Sequence, residues 1–274
     1  GQAIDVFVFH ELCEQLAEKA GLSGKLDQSS GDLYTHIYPS TALEAIRSTD
    51  GGPIYDTLIV EEGQDLLIDR YIDVFDALLK DGINGGKWAF FFDPNQNIYL
   101  KQDSEEKTLS RLRAARPFQH QLRINCRNTR GISDVASTLS GKPPMDVSEI
   151  WGPIPNITFY NSPQQQSRQV SLTVKRWLDQ GIPLNDIVIL SRFRLENSGL
   201  SRGLDAEILS LPLKNLEIGE PLTENTVIYS TIHSFKGLES EFVILTDLDR
   251  SIFRPELINQ FYVGATRANA VLEL

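Results

Sequence analysis

The chain has 274 residues, which is long for one domain and favours two α/β domains of ordinary size. Its 23% of charged and 41% of hydrophobic residues are typical of a soluble globular protein, and no apolar run approaches the ~18 residues of a membrane span. A net charge of −11 argues against a protein that coats nucleic acid through bulk electrostatics, although it allows a local basic groove.

The first part of the chain alternates between predicted strands and helices. Alternating or continuous apolar residues predict strands, and apolar residues at helical spacing predict helices. The predicted strands are residues 5–9, 55–60 and 87–92. The predicted helices are residues 10–19, 40–47, 64–80 and a polar stretch at about 104–116.

The pattern starts again after this polar stretch. Strands are predicted at residues 118–124, 157–160, 186–190, 227–231, 242–246 and 270–274, and helices at 129–139, 164–179 and about 255–265. Strands that alternate with helices favour parallel sheets covered by helices on both faces. We therefore predict an α/β fold with two domains, residues 1–112 and residues 113–274.

Cysteine and histidine are sparse. Cys13 and Cys126 lie far apart and the four histidines are scattered, so the sequence predicts neither a disulfide framework nor a zinc site. No signal peptide is apparent either. We expect a monomeric cytoplasmic protein that has no membrane partner.

An apolar run ends in two adjacent carboxylates, Glu61 and Glu62, which precede Gly63-Gln64-Asp65. Acids at the carboxyl end of a buried strand suit Mg²⁺ on a nucleotide phosphate, with one carboxylate holding the metal and its neighbour polarising the attacking water. A surface turn is the alternative interpretation. The loop after the next predicted strand, Asp93-Pro-Asn-Gln96, falls at the same sheet edge. Gln96 could therefore reach a γ-phosphate from there, or simply belong to a turn.

Three polar segments stand out in the second half. Arg127 lies in Asn125-Cys-Arg-Asn128, between a predicted strand and a helix, where a permanently charged guanidinium suits phosphate oxygens. Residues 230–239 form the densest polar run, suited to a phosphodiester backbone. Arg267 stands alone among small residues, with a surface salt bridge as the alternative to a phosphate.

Basic residues also concentrate between positions 107 and 130, where the sequence has no acid. They are Lys107, Arg111, Arg113, Arg116, Arg123, Arg127 and Arg130. This stretch predicts either a local basic groove or a solvated helix face followed by a linker.

Six segments, taken in order, resemble motifs Ib, II, III, IV, V and VI of the UvrD/Rep-like superfamily 1 DNA helicases. They are Val8-Phe-His10, Ile59-Val-Glu-Glu-Gly-Gln-Asp65, Asp93-Pro-Asn-Gln-Asn-Ile-Tyr99, Leu122-Arg-Ile-Asn-Cys-Arg-Asn128, Thr231-Ile-His-Ser-Phe-Lys-Gly-Leu-Glu239 and Tyr262-Val-Gly-Ala-Thr-Arg-Ala268. The resemblance spans nearly the whole chain, and motifs V and VI are its most specific parts.

The resemblance implies two RecA-like domains of the P-loop NTPase type, the first one incomplete, that bind ATP and Mg²⁺ between them and move on single-stranded DNA. It casts Glu62 as the base, Glu61 as the Mg²⁺ position and Gln96 as the γ-phosphate sensor. Arg127 and Arg267 would contact the γ-phosphate, and Glu239 the ribose. The residues placed where the family touches nucleic acid are His10, Tyr99, Thr231 and His233.

The sequence departs from the family in three places. Glu61 stands where the family has Asp, and Leu100-Lys-Gln102 stand where Trp-Arg-Gly usually follows, which removes a base-stacking Trp. No Gly-rich loop ending in Gly-Lys-Ser/Thr is present. We expect an N-terminally truncated piece of a longer helicase that is inactive by itself. The alternative is a degenerate, non-catalytic binding or scaffold module, and a non-helicase phosphoryl-transfer enzyme would leave residues 231–239 unexplained.

Overall fold

The computed structural model describes residues 4–27, 32–48, 54–99, 102–144, 146, 150–202, 213–216 and 226–274. The chain divides into two compact units, Gly1–His120 (unit 1) and Gln121–Leu274 (unit 2). The predicted domain boundary after residue 112 falls inside the last turn of the helix Gln102–Ala114. Within the described ranges, no helix combines the length and the apolar character that crossing a membrane requires.

Unit 1 packs helices around a two-stranded sheet. Its α-helices are α1 (Phe9–Lys19), α2 (Tyr38–Ser48), α3 (Asp69–Leu78), α4 (Gly82–Gly85) and α5 (Gln102–Ala114), and its strands are β1 (Thr57–Val60) and β2 (Lys87–Phe90). The two strands run parallel, with Val60 opposite Phe90. Both strands therefore end at the same edge, and the loops after them are neighbours.

The core of unit 1 comes from the apolar faces of the helices. Buried side chains of α1, α2 and α3 pack on Val60 and on the inner side of the sheet. Ile59, by contrast, is 65% exposed, so β1 is covered on one face only. A strand is therefore present where one was predicted, but only one of its faces is buried.

Two predictions in unit 1 need correction. Residues 5–9 form no strand: Val8 is the N-cap of α1, Phe9 is its first residue, and Val6 is exposed. The alternating pattern is present, but residues 4–8 pair with neither β1 nor β2. The helix predicted over residues 64–80 is shorter, because a 3₁₀ turn, Gly63–Asp65, precedes α3.

Unit 2 is built on a parallel sheet. Its α-helices are α6 (Arg130–Ser140), α7 (Pro163–Asp179) and α8 (Ile258–Ala265), and its strands are β3 (Ile187–Ser191), β4 (Leu213–Asn215), β5 (Val227–Thr231), β6 (Ser240–Leu245) and β7 (Ala268–Glu273). The strand order is β4-β5-β3-β6-β7, and each neighbouring pair is parallel. Every residue of the central strand β3 is buried, as expected for a strand covered on both faces.

Two predicted strands in the second half are wrong. Residues 118–124 form no strand: among the described residues, their one bridge joins Ile124 to Asp146, and Phe118 is 92% exposed. Residues 157–160 run beside the end of β7, where Thr158 N–H donates to the carbonyl of Leu274, without forming a regular strand. Both segments have the side-chain pattern of strands and lack a continuous partner. The α/β class with parallel sheets is confirmed.

Candidate functional site

The predicted hydrolytic residues of unit 1 lie at the shared carboxyl edge of β1 and β2. Glu62 adopts a left-handed conformation (φ 51°, ψ 36°), and the amide of Gly63 donates to the carbonyl of Phe91 at 2.9 Å. A Cβ on Gly63 would approach that carbonyl oxygen to 3.3 Å, closer than most side chains tolerate. The loop after β1 is therefore held tightly against the end of β2.

Gln64 joins the two loops at this edge. Its side chain is 99% buried, donates from Nε2 to Oε2 of Glu62 at 2.6 Å, and accepts from the amide of Asp93 at 3.0 Å. Asp93 in turn accepts from Nε2 of Gln96 at 2.9 Å. A continuous polar chain thus brings Glu62 and Gln96 together. The sequence offered one signal for Gln64, its position between the acids and an apolar helix, but not its bridging role.

The carboxylates of this edge form no preassembled metal cage. Glu61 and Glu62 are both exposed, and the described residues contain no group of three or more His, Cys, Asp or Glu able to hold a metal ion. Mg²⁺ usually takes only one or two protein carboxylates and completes its octahedron with water and phosphate oxygens. The donor set therefore fits Mg²⁺ that arrives on a nucleotide.

The other predicted contacts of unit 1 have different surroundings. Tyr99 is 54% exposed, as a stacking surface requires.

His10 lies among aromatic rings, with Nε2 at 3.0 Å from the hydroxyl of Tyr71 and its ring packed edge-on against Tyr34 and Tyr38. Burial lowers the pKa of His10, and the carbonyl of Tyr34 and Glu14 oppose this effect. The neutral imidazole is thus the form that this packing favours.

In unit 2, the loop that carries Arg127 is shaped by asparagines. Oδ1 of Asn125 accepts from the amides of Arg127 (2.9 Å) and Asn128 (3.1 Å), which forms a tight turn ahead of α6. The buried Asn128 then donates from Nδ2 to the carbonyls of Thr266 (2.9 Å) and Ala268 (2.6 Å). The Arg127 loop is therefore fixed to the segment that contains Arg267, and the sequence had not singled out Asn128.

Arg127 and Glu239 form an ion pair, with 2.9 Å between Nε and Oε2 and side chains that are 44% and 49% exposed. Arg267 is 1% exposed; its Nε donates to the carbonyl of Val263 at 3.1 Å and its Nη1 to the carbonyl of Leu238 at 3.3 Å. Arg267 thus holds the backbone of Leu238, the residue directly before Glu239. The structure brings these three predicted residues into one cluster, in which Arg267 faces its own unit.

Residues 231–238 form a compact turn at the carboxyl end of β5. Oγ1 of Thr231 accepts from the amide of Ser234 and donates to its hydroxyl at 2.9 Å, while the buried side chains of Phe235 and Ile232 anchor the turn. His233 is half-buried, and burial, together with Lys236, lowers its pKa. Thr231 and His233 therefore share a rigid turn at the edge where parallel sheets commonly bind ligands.

Asp247 is a polar hub that the sequence did not reveal. It follows β6 in the left-handed conformation (φ 58°) and accepts hydrogen bonds from four donors. These are Nε2 of Gln166 (2.7 Å), the hydroxyls of Ser191 (2.6 Å) and Ser198 (2.7 Å), and the amide of Gly199 (3.1 Å). Asp247 thus joins the ends of β3 and β6 to α7. Its partners are far apart in sequence, so no local pattern marks it.

The basic stretch between residues 107 and 130 is largely paired with acids in the described part of the chain. Most of its cations have acidic partners contributed by other parts of the chain. The pairs are Lys107–Asp69, Arg111–Asp73, Arg113–Glu106, Arg127–Glu239 and Arg130–Asp134. The absence of acids from the stretch itself was therefore a poor guide to its local charge.

Comparison with known proteins identifies one segment. Residues 226–273 match the family model of the UvrD-like helicase C-terminal domain. The resemblance to UvrD-like helicases is confirmed. The match contains both the Thr231–Glu239 segment and the segment around Arg267.

Among solved structures, the chain is similar to one described as the C-terminal domain of a possible DNA helicase from Lactobacillus plantarum WCFS1. The sequences are 21% identical, the match covers 54% of this chain and 84% of that chain, and the TM-score is 0.43. No curated protein matches the sequence.

Proposed function

We propose that this chain is a portion of an ATP-dependent DNA helicase or translocase of the UvrD/Rep-like superfamily 1. The observation that carries the proposal is the family match over residues 226–273, together with the cluster in which Arg127, Glu239 and Arg267 meet. The parent protein would couple ATP hydrolysis between two RecA-like domains to movement on single-stranded DNA. It would work as a cytoplasmic monomer.

Unit 1 would supply the hydrolytic residues. Glu62 would take the proton of the attacking water, and Gln96 would sense the γ-phosphate, both fixed by the Gln64–Asp93 bridge. Glu61 and Glu62 would hold Mg²⁺, which supplies charge neutralisation to the β- and γ-phosphates when bound. Tight fixing of the base is what makes such a site effective, because catalysis depends on geometry set before the reaction.

Unit 2 would supply the cations. Arg127 is partly exposed and suited to phosphate oxygens, with Glu239 close enough to share the same ligand. The guanidinium of Arg267 is enclosed by carbonyls of unit 2, so it would act on a γ-phosphate only after a change in this packing. We propose that closure of the protein on ATP provides this change. Arginines that reach across a nucleotide cleft commonly act in this way.

Single-stranded DNA binding is the first test. We expect the chain to bind a fluorescent oligothymidylate, and Thr231→Ala or His233→Ala to weaken binding by roughly three- to tenfold, the effect of losing one ordinary hydrogen bond to the backbone of the strand. Thr138→Ala, which alters an exposed threonine on α6, is the matched control. Unchanged affinity in both variants, with wild-type binding intact, would remove these residues from the nucleic-acid site.

ATP hydrolysis is the second test. The chain has no Gly-Lys-Ser/Thr loop to hold the β- and γ-phosphates, so we expect this polypeptide to bind ATP poorly and not to turn it over. DNA-stimulated ATPase activity from purified protein, lost in Glu62→Gln, would refute this expectation.

A catalytically degenerate binding or scaffold module is the competing proposal. Glu61 in place of Asp, and Leu100-Lys-Gln102 in place of Trp-Arg-Gly, favour it. The gene sequence upstream of Gly1 distinguishes the two. A Gly-rich Gly-Lys-Ser/Thr loop within about a hundred residues, one domain's length, supports the motor, and its absence from the full gene supports the module.

A further inference from the structure

The ion pair of Arg127 is made through only one edge of its guanidinium. Nε faces Oε2 of Glu239 at 2.9 Å, and the amide of Arg127 donates to Asn125. Among the residues that the structure describes, the terminal nitrogens Nη1 and Nη2 have no hydrogen-bond partner. Nη1 and Nη2 carry four of the five N–H donors of the guanidinium, arranged in a planar fork.

The backbones of both partners are held by the same third segment. Asn128 fixes the Arg127 loop to the carbonyls of Thr266 and Ala268. The amide of Ser240, directly after Glu239, donates to the carbonyl of Arg267 at 3.0 Å. The distance between the two backbones is therefore set by residues 266–268. The side chains of Arg127 and Glu239 can still adopt different rotamers, and the ion pair selects one arrangement.

We propose that Glu239 is a positioning residue for Arg127: it holds Nε and turns the terminal nitrogens toward a polyphosphate ligand. This inference rests on the proposed function, because it assumes that Arg127 meets nucleotide phosphates. It gives Glu239 a role in addition to the ribose contact that the family resemblance implies. The two roles separate cleanly with a ligand that has no ribose.

The two variants at position 239 test the contact with Arg127 and the negative charge of Glu239 separately. Glu239→Gln keeps a carbonyl oxygen that can accept from Nε and removes a negative charge near the phosphates, so tripolyphosphate should bind equally well or more tightly. Glu239→Ala removes the acceptor, so Arg127 loses its orientation. Binding of tripolyphosphate is expected to be weak in the wild type, which has no Gly-Lys-Ser/Thr loop, and to weaken by about a further two- to fivefold in Glu239→Ala, the range of exposed ion pairs.

The experiment follows the Nε–H resonance of Arg127 in the full chain labelled with ¹⁵N-arginine, assigned by its disappearance in Arg127→Lys. Sodium tripolyphosphate is titrated into the wild type, Glu239→Gln and Glu239→Ala. Asp134→Ala is the matched control, because it removes the carboxylate next to another arginine of the same region, Arg130. Unchanged chemical shifts away from position 239 show that each variant is folded.

The expected result is a shift of the Arg127 signal that needs two- to fivefold more tripolyphosphate in Glu239→Ala, with Glu239→Gln and Asp134→Ala close to or tighter than the wild type. Equal affinity in Glu239→Ala and the wild type overturns the positioning role. Tighter binding in Glu239→Ala also overturns it, since Glu239 would then compete with the ligand. No response of Arg127 in the wild type overturns the inference as well, whereas oligothymidylate binding decides the proposed function separately.

Discussion

The side-chain amide of Gln64 contacts the carboxylate of Glu62 at 2.6 Å while its carbonyl oxygen receives the amide of Asp93 at 3.0 Å. One buried side chain therefore links the ends of two parallel strands. If this link is removed, a backbone amide and a carboxylate lose a partner at the same time.

We therefore expect Gln64→Ala to lower the free energy of unfolding by about 1–3 kcal/mol, because the amide of Asp93 loses its acceptor and the buried side chain of Gln64 leaves a cavity. Urea denaturation followed by circular dichroism measures this change. Gln15→Ala is the matched control, because Gln15 makes one exposed 3.3 Å hydrogen bond to Glu11. Equal effects of the two substitutions would show that the Gln64 bridge does not stabilise unit 1.

Asp247 provides a second stability test. Its carboxylate accepts four hydrogen bonds, so Asp247→Ala leaves several donors without an acceptor and should cost roughly 2–4 kcal/mol of unfolding free energy. The loss should appear in unit 2, as faster hydrogen exchange at Ser198 and Gly199. Asp179→Ala, which breaks an exposed pair with Lys175, should change stability by about 0.5 kcal/mol or less. A loss below that of the control would contradict the role of the hub.

His10 should make the stability of the chain depend on pH. Because burial lowers its folded-state pKa below the unfolded value of 6.5, the unfolded chain binds more protons in the window between these two values. Stability should therefore fall as pH decreases from about 7.5 through 6.5 toward the lowered pKa. Thermal unfolding measured across this range should show a smaller dependence in His10→Gln.

His36→Gln is the control for this measurement, since it removes an exposed histidine of the same unit. The difference in melting temperature between the wild type and His10→Gln should change with pH. The difference in melting temperature between the wild type and His36→Gln gives the change expected from losing an exposed histidine. A pH dependence that survives unchanged in His10→Gln would rule out His10 as its source. The pKa of His233 is lowered in the same direction, so His233 should contribute a slope of the same sign.

Arg267 should be needed for folding as well as for any activity. Its guanidinium is buried and satisfied by the carbonyls of Val263 and Leu238, so Arg267→Ala should lower the unfolding free energy by about 2 kcal/mol or more. Arg267→Lys, which keeps the charge but not the forked donors, should fall in between. Chemical denaturation measures both, with Arg168→Ala on α7 as an exposed control. Wild-type stability in Arg267→Ala would show that these contacts carry no weight.

The sequence predicted the elements that have complete local signals. The strand at residues 227–231 agrees with β5 residue for residue, and helix 164–179 differs from α7 by one residue, since Ser162 caps it and Pro163 begins it. The strands predicted at residues 5–9 and 118–124 are wrong because a strand needs a neighbouring strand, and an alternating sequence pattern shows only which side chains are apolar. β4 was missed, since three residues give too short a pattern.

The functional residues divide in the same way. Glu62, Gln96, Arg127 and Glu239 were chosen from local composition or family resemblance, and the structure places them in two clusters, one in each unit. Gln64, Asn128 and Asp247 were not chosen, because their significance lies in partners distant along the chain. A buried amide or carboxylate looks ordinary in sequence until the groups that it satisfies are known.

The hydrogen bond from Asn128 to the carbonyl of Ala268 spans 140 positions of the chain. During synthesis, the Arg127 loop therefore leaves the ribosome long before the residues that fix it exist. Closing so long a loop costs entropy that only the assembled sheet can repay, so this corner should be among the last parts of unit 2 to acquire its native geometry. Arg127 therefore reaches its native position only when unit 2 has finished folding.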